Sequence, residues 1–146
     1  MAIRNKATPV TILAAALGTL LLSLTPVQAS SEGGALYMQH CSVCHQPNGK
    51  GISGFFPPLA DNNHVNSNNS ETIQNYLRRV IFGYHGGLIV DNQVYSGRMP
   101  PIGYVGRLND SELLDLVNYQ RSAWGGNARA ITFSELAKAR KAGSLK

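Results

Sequence analysis

HCSVCHQPNGKG, residues 40–51, holds both cysteines of this 146-residue chain, Cys41 and Cys44, with His45 directly after the second. A close cysteine pair serves a disulfide, a metal site or a covalent cofactor. A Cys41–Cys44 bridge closes so short a loop that it removes little unfolded-state entropy. A thioredoxin-like redox pair needs Cys-x-x-Cys beside a βαβ pattern, and no parallel-sheet pattern is visible. A structural zinc site needs two more ligands at matching spacing, whereas His40, His64 and His85 are scattered. C-x-x-C-H is the attachment pattern of c-type haem. Two thiols on one helical turn each add across a haem vinyl group, and the adjacent histidine meets the iron as proximal ligand. This reading uses both cysteines.

The chain opens MAIRNKATPVTILAAALGTLLLSLTPVQASSEGG. Arg4 and Lys6 make a positive start, Val10 to Leu24 an apolar run, and Val27-Gln28-Ala29 a small-residue cleavage pattern, so residues 1–29 read as a secretory signal peptide. The alternative is a retained membrane anchor, but the run is short of the about 20 residues a span needs, and Pro26 follows it. Cleavage after Ala29 leaves residues 30–146, 117 residues, expected to form one periplasmic domain. It removes Arg4 and Lys6, so 11 basic residues face 8 acidic ones and the net charge is +3. No Lys/Arg-rich run marks a nucleic-acid surface, and no stable membrane span is expected after cleavage.

Glu32 to His45 is predicted as a helix carrying the cysteines on its last turn, broken by Gly49 and Gly51. FFPPLADNNHVNSNNS (55–70) is predicted as a loop, since two prolines forbid a helix and asparagines favour turns. Its part Asn62–Ser70 reads as a solvated connector. SETIQNYLRRVIFG (70–83) is predicted helical, with Ser70 as N-cap, an apolar stripe of Ile73, Leu77, Val80 and Ile81, and Gly83 as stop. LIVDNQVY (88–95) is a small hairpin around Asp91-Asn92. NDSELLDLVNYQRSAWGG (109–126) has a capping-box start at Asn109 and Glu112 and an apolar face of Leu113, Leu116 and Val117. TFSELAKARKA (132–142) is a shorter terminal helix capped by Thr132 and Glu135. The expected class is all-α with one β-hairpin, and its long loops need something to wrap around.

A second axial ligand is sought among few residues. Met38 precedes Cys41 by three positions on the same helix and cannot reach the other haem face. Met99 lies in YSGRMPPIG, flanked by Gly97, Pro100 and Pro101, and is the favoured ligand. An ordinary packed methionine is the commoner use of that residue, and His85 in YHGG competes for a bis-His iron. His/Met ligation raises the reduction potential relative to more basic pairs.

These segments together resemble a class I cytochrome c over nearly all of the mature chain. YMQHCSVCH resembles that family's N-terminal helix and haem motif, FPPLA its Pro-x-Leu segment, YSGRMPP its methionine loop and ELLDLVNYQRSAWG its C-terminal helix. The small periplasmic cytochromes serving bacterial dehydrogenases and reductases are the most similar subgroup. The resemblance implies the cytochrome c fold, with helices and long loops around one covalent haem c at Cys41, Cys44, His45 and Met99. It further implies that Pro57 offers its carbonyl to the Nδ1–H of His45, fixing the ring, and that Leu59 packs on the haem. Gly33 and Tyr37 are expected to cross Leu116 and Tyr119. Phe55, Phe56, Ile102 and Trp124 are expected in the pocket wall. Arg98 and Arg107 read either as partners of the haem propionates or as solvated arginines. The Asn-rich loop and Gln120 are less typical of the family. With both iron positions filled by protein, the expectation is outer-sphere electron transfer between redox partners (a dehydrogenase, reductase or terminal oxidase), and no catalysis. The alternatives are an obligate haem subunit of a dehydrogenase or reductase complex, and a haem ligand-binding protein if the sixth position is open.

Overall fold

The computed structural model describes residues 31–145, so the signal-peptide reading of residues 1–29 lies outside the described residues. In chain order the elements are α1 (Ser31–His40), α2 (Ser42–His45), α3 (Asn63–Asn66), α4 (Ser70–Phe82), β1 (Leu88–Val90), β2 (Gln93–Tyr95), α5 (Ile102–Val105), α6 (Asp110–Trp124) and α7 (Phe133–Ala142). The class is mostly helical with one small hairpin.

Helix α6 begins where the Asn109 side chain accepts from the backbone N–H groups of Ser111 and Glu112, while Glu112 accepts from the N–H of Asn109. That reciprocal cap satisfies donors which have no partner inside the helix. The helix then buries Leu113, Leu116, Val117 and Gln120. It crosses α1 at Gly33, where a Cβ would run into the Asp115 carbonyl oxygen and lie 2.8 Å from Tyr119 Cβ. Tyr37, one turn on, packs its ring 5.8 Å from Tyr119 and 4.8 Å from Trp124. The predicted helix over 32–45 bends at Cys41 (φ −121°, ψ −34°). Cys41 N–H still bonds the Tyr37 carbonyl, and His45 N–H bonds that of Cys41, each at 2.9 Å.

Helix α4 starts one residue earlier than its sequence suggests. Asn69, not Ser70, is the N-cap and accepts from the N–H groups of Glu71 and Thr72. Its buried face, Ile73, Tyr76, Leu77, Val80 and Ile81, extends the predicted stripe by a tyrosine. The 62–70 stretch departs from the solvated connector expected of it. Asn62 is buried and donates to the Pro58 carbonyl at 2.6 Å, and its side-chain oxygen caps α3 at His64 N–H. Val65 is also buried. The buried Arg121 guanidinium of α6 donates to the Val65 and Ser67 carbonyls and to Asn68 Oδ1. A cation from a distant helix thus supplies the partners that a sequence window of asparagines leaves unseen.

Strands β1 and β2 pair Leu88 with Tyr95 and Val90 with Gln93 across Asp91-Asn92. Both turn residues have positive φ, 49° and 63°, as a two-residue turn matched to strand twist requires. Helix α7 lies on α4 with Leu136 and Ala139 buried. Gln74 Nε2 donates to the Glu135 carbonyl, and Arg78 to the carbonyls of Gly143 and Ser144. Among the described residues no helix is long and apolar enough to cross a membrane.

Candidate functional site

His45 ends α2 and is 7 % exposed. Its Nδ1 lies 2.9 Å from the Pro57 carbonyl oxygen. A carbonyl only accepts, so Nδ1 carries the proton and Nε2 keeps its lone pair. The chain reaches this position through Gly51 (φ +65°), where a Cβ would run into the Phe56 carbonyl oxygen. Gly51 N–H bonds the His45 carbonyl at 2.9 Å, folding residues 52–57 back beneath the histidine. Burial lowers the imidazole pKa and the Pro57 bond partly opposes that shift. The neutral ring is the form that ligates a metal.

Cys41 and Cys44 are not joined to each other in a disulfide. Burial, and next the neighbouring Cys44, push the Cys41 thiol up to about 12. Gln120 Nε2 sits 3.8 Å from Cys41 Sγ, and Gln120 Oε1 accepts from the buried Tyr76 hydroxyl at 2.7 Å. The glutamine inside an apolar face is therefore fully engaged. Among the described residues no three His, Cys, Asp or Glu side chains gather as a metal site, so Cys41, Cys44 and His45 lack the fourth partner of tetrahedral zinc.

Met99 reaches the same crevice from a distant stretch of the chain. Its backbone makes a two-bond bridge with Tyr84: Tyr84 N–H to Met99 O at 3.0 Å and Met99 N–H to Tyr84 O at 2.8 Å. Gly83 (φ +76°) permits this approach, because a Cβ there would be 2.6 Å from Met99 O. Gly97 N–H bonds the Phe55 carbonyl at 2.9 Å, tying the other end of the loop to the Pro57 segment.

Between these elements runs one crevice of two adjoining chambers, with Cys41, His45, Pro57, Arg79, Leu88 and Met99 lining both. Cys44, Phe56 and Ile102 line the first, and Leu59, Val65 and Val80 the second. No Asp or Glu lines either. Two thiols, an imidazole with a free Nε2 and a thioether thus line one largely apolar cleft. The donor set fits a covalent haem.

The other expected residues divide. Phe56 and Ile102 are in the wall, but Phe55 is 62 % exposed, and Trp124 packs over Gly49 and against Tyr37 and Tyr119 instead. Arg98 lines the first chamber and is exposed; Arg107 lines neither. His85 is exposed and lines neither chamber, only a neighbouring depression that also touches Met99. Arg79 was not foreseen from sequence. It lines both chambers, its guanidinium stands 5.4 Å from the Tyr84 ring centroid, and its Nε and Nη1 are buried with no hydrogen-bond partner. The signal for it was its spacing, three residues after Tyr76 and next to Val80 on the buried side of α4.

Comparison with known proteins adds the following. The sequence profile of the family described as Cytochrome c matches residues 30–124. The alcohol dehydrogenase (quinone), cytochrome c subunit of Gluconobacter oxydans is 34% identical over 115 residues, 78% of this chain and 23% of that protein. Cytochrome c-552 of Thermus thermophilus is 37% identical over 97 residues, 65% of this chain and 70% of that protein. The gluconate 2-dehydrogenase cytochrome c subunit of Pantoea cypripedii is 30% identical over 115 residues, 77% of this chain and 24% of that protein. The chain spans about a quarter of the length of the dehydrogenase subunits it matches.

Proposed function

The chain belongs to the cytochrome c family, which binds covalently attached haem c, and we propose that it carries single electrons between redox proteins by outer-sphere transfer, at an iron held by His45 and Met99. The observation that carries this reading is the single crevice lined by both cysteines, the oriented imidazole and a loop-anchored methionine. A bound haem c supplies a one-electron iron couple. Cys41 and Cys44 provide the two thioether sulfurs. Pro57 fixes the His45 tautomer so that Nε2 is the ligating nitrogen. The Tyr84 bridge holds the Met99 backbone in place, and Leu59, Val65, Val80 and Phe56 exclude water. If His45 and Met99 both hold the iron, no coordination site would be left for a substrate, which suits a carrier and not a catalyst.

Residues 1–29 are assigned to a cleaved signal peptide, residues 30–146 to the haem domain, and the location to the periplasm. The partners are redox proteins, met through the small interfaces typical of such encounters. A second reading, an obligate subunit of a dehydrogenase complex, is favoured by the names of the relatives. The match to most of the length of a cytochrome c-552 favours the free carrier. Gel filtration of a periplasmic extract at physiological salt separates the two. Elution of the haem protein alone supports the carrier, and co-elution with a dehydrogenase supports the subunit.

The ligand assignment rests on Met99. In the ferric protein, Met99→Ala is expected to abolish the weak far-red charge-transfer band of a thioether ligand. The ferrous variant is expected to bind carbon monoxide, and its potential to fall. His85→Ala is expected to change neither property. Loss of the band in His85→Ala but not in Met99→Ala means a bis-His iron. Rapid carbon monoxide binding by the unmodified ferrous protein means an open sixth position and a ligand-binding role.

A further inference from the structure

We infer that Gln120 is a positioning residue for the redox centre: with Tyr76 it forms a buried relay whose amide N–H donates to the Cys41 sulfur of the attached haem and favours the ferrous form. The inference rests on the haem reading above and adds two residues that the attachment motif does not mark. Gln120 is 2 % exposed and lies on the same buried face of α6 as Leu116 and Val117, one turn earlier. An amide shut in such a face costs free energy unless it is hydrogen-bonded. Its partners come from two other elements. Tyr76 of α4 is 44 positions away, and Cys41, between α1 and α2, is 79 positions away. All three side chains line the second chamber.

The direction of the relay follows from the chemistry of its two ends. A free thiol both donates and accepts, so either end of the amide would serve it. A thioether sulfur carries no hydrogen and only accepts, so after attachment the amide N–H alone suits Cys41. The amide nitrogen faces Cys41 Sγ at 3.8 Å, which leaves Oε1 in need of a donor. The Tyr76 hydroxyl is that donor, at 2.7 Å. Burial raises the Tyr76 phenol pKa, so the hydroxyl keeps the hydrogen it gives. Tyr76 thereby holds Gln120 in the orientation that fits the loaded protein. Sulfur is a weak acceptor, but this donor is shut away from water, where the field of an N–H group is screened least. Reduction of a haem adds one electron. The positive end of an N–H group set against a sulfur bonded to the haem stabilises that added charge, so the relay raises the potential.

The test uses the exported holoprotein, its Gln120→Leu and Tyr76→Phe variants, and the variant carrying both changes. Pyridine haemochrome absorbance of the unmodified protein comes first. Its absence defeats the haem reading itself, a result separate from the fate of Gln120. With haem present, Gln120→Leu is expected to shift the redox equilibrium about threefold toward the ferric form, a fall of about 28 mV for one electron. Tyr76→Phe, which releases the amide, is expected to give a smaller fall. Each single change strands a buried polar partner and is expected to lower the urea midpoint, whereas the double change removes both partners and is expected to regain most of that loss. The potential of the double variant is expected to stay as low as that of Gln120→Leu. A merely structural pair would give a potential that recovers with stability. In the unmodified ferrous protein labelled with ¹⁵N-glutamine, a Gln120 amide hydrogen is expected to show a nuclear Overhauser contact to the Cys41 β-hydrogens. This measurement stands even if a variant does not take up haem. An unchanged or raised potential in haem-loaded Gln120→Leu, a potential that recovers in the double variant, or no contact between the amide hydrogens and Cys41 overturns the inference.

Discussion

Gly33 sets how closely α1 approaches α6, and it does so by lacking a single carbon. A Cβ there would strike backbone, the Asp115 carbonyl, which cannot move without shifting α6. At Gly34 the nearest atom to such a Cβ is Tyr119 Cε2 at 3.2 Å, on a ring that can turn aside. Gly33→Ala is therefore expected to destabilise the protein by about 1–3 kcal/mol, the usual cost of overpacking. Gly34→Ala is expected to cost clearly less. Urea unfolding followed by far-ultraviolet circular dichroism compares them, and equal losses would show that the crossing does not depend on Gly33. Residue-scale logic also governs His45. One hydrogen bond to Pro57 decides which ring nitrogen keeps its lone pair.

At the scale of elements, α7 shows a helix whose start is written locally and whose place is not. Thr132 and Glu135 form the capping box that its sequence announces. Glu135 also meets Arg129, with oxygen and nitrogen 2.6 Å apart. That arginine's hydrogen bond, helped by those from Thr132 and opposed by burial, holds the Glu135 carboxyl at about 2 against an ordinary 4.5. A carboxyl more acidic in the folded than in the unfolded chain contributes stability at pH values above about 4.5 and loses it as pH falls toward about 2. Glu135→Gln is thus expected to be less stable than the parent at pH 6, with the gap in urea midpoint closing over that acidic range. A gap that stays constant with pH would mean the ion pair is not what Glu135 contributes. By contrast, the seat of α7 on α4 depends on Gln74 and Arg78 reaching carbonyls 61 to 66 residues away.

For the whole molecule, the crevice is the centre around which the loops are arranged. The segments 46–62 and 83–101 carry little regular structure beyond one hairpin. They present Phe56, Leu59, Leu88 and Met99 to the cleft. A domain of this size has a modest core, and without haem these walls would face water. Cys41→Ala, Cys44→Ala, which removes the attachment points, is expected to lose most of its helical circular dichroism in the exported chain. A double variant with native helical signal would show that α1, α4, α6 and α7 hold one another without the cofactor.

What the sequence determined by itself is what short-range chemistry dictates. The Cys-x-x-Cys-His spacing pointed to covalent haem, two capping boxes marked two helix starts, and Asp91-Asn92 marked the hairpin turn. The cytochrome c family was legible from the order of these segments along the chain. Tertiary structure alone decided the rest. Asn68 and Arg121, 53 positions apart, turn an apparent connector into a buried network, and Gln120 reaches Cys41 across 79 positions. Trp124 found Gly49 instead of the cleft. Arg79 became a crevice residue because α4 turns that side chain inward, beside Tyr84 and away from every acidic group that could pair with it. A local pattern fixes which backbone groups are satisfied nearby, whereas the partner of a buried charge is set by where distant elements come to rest.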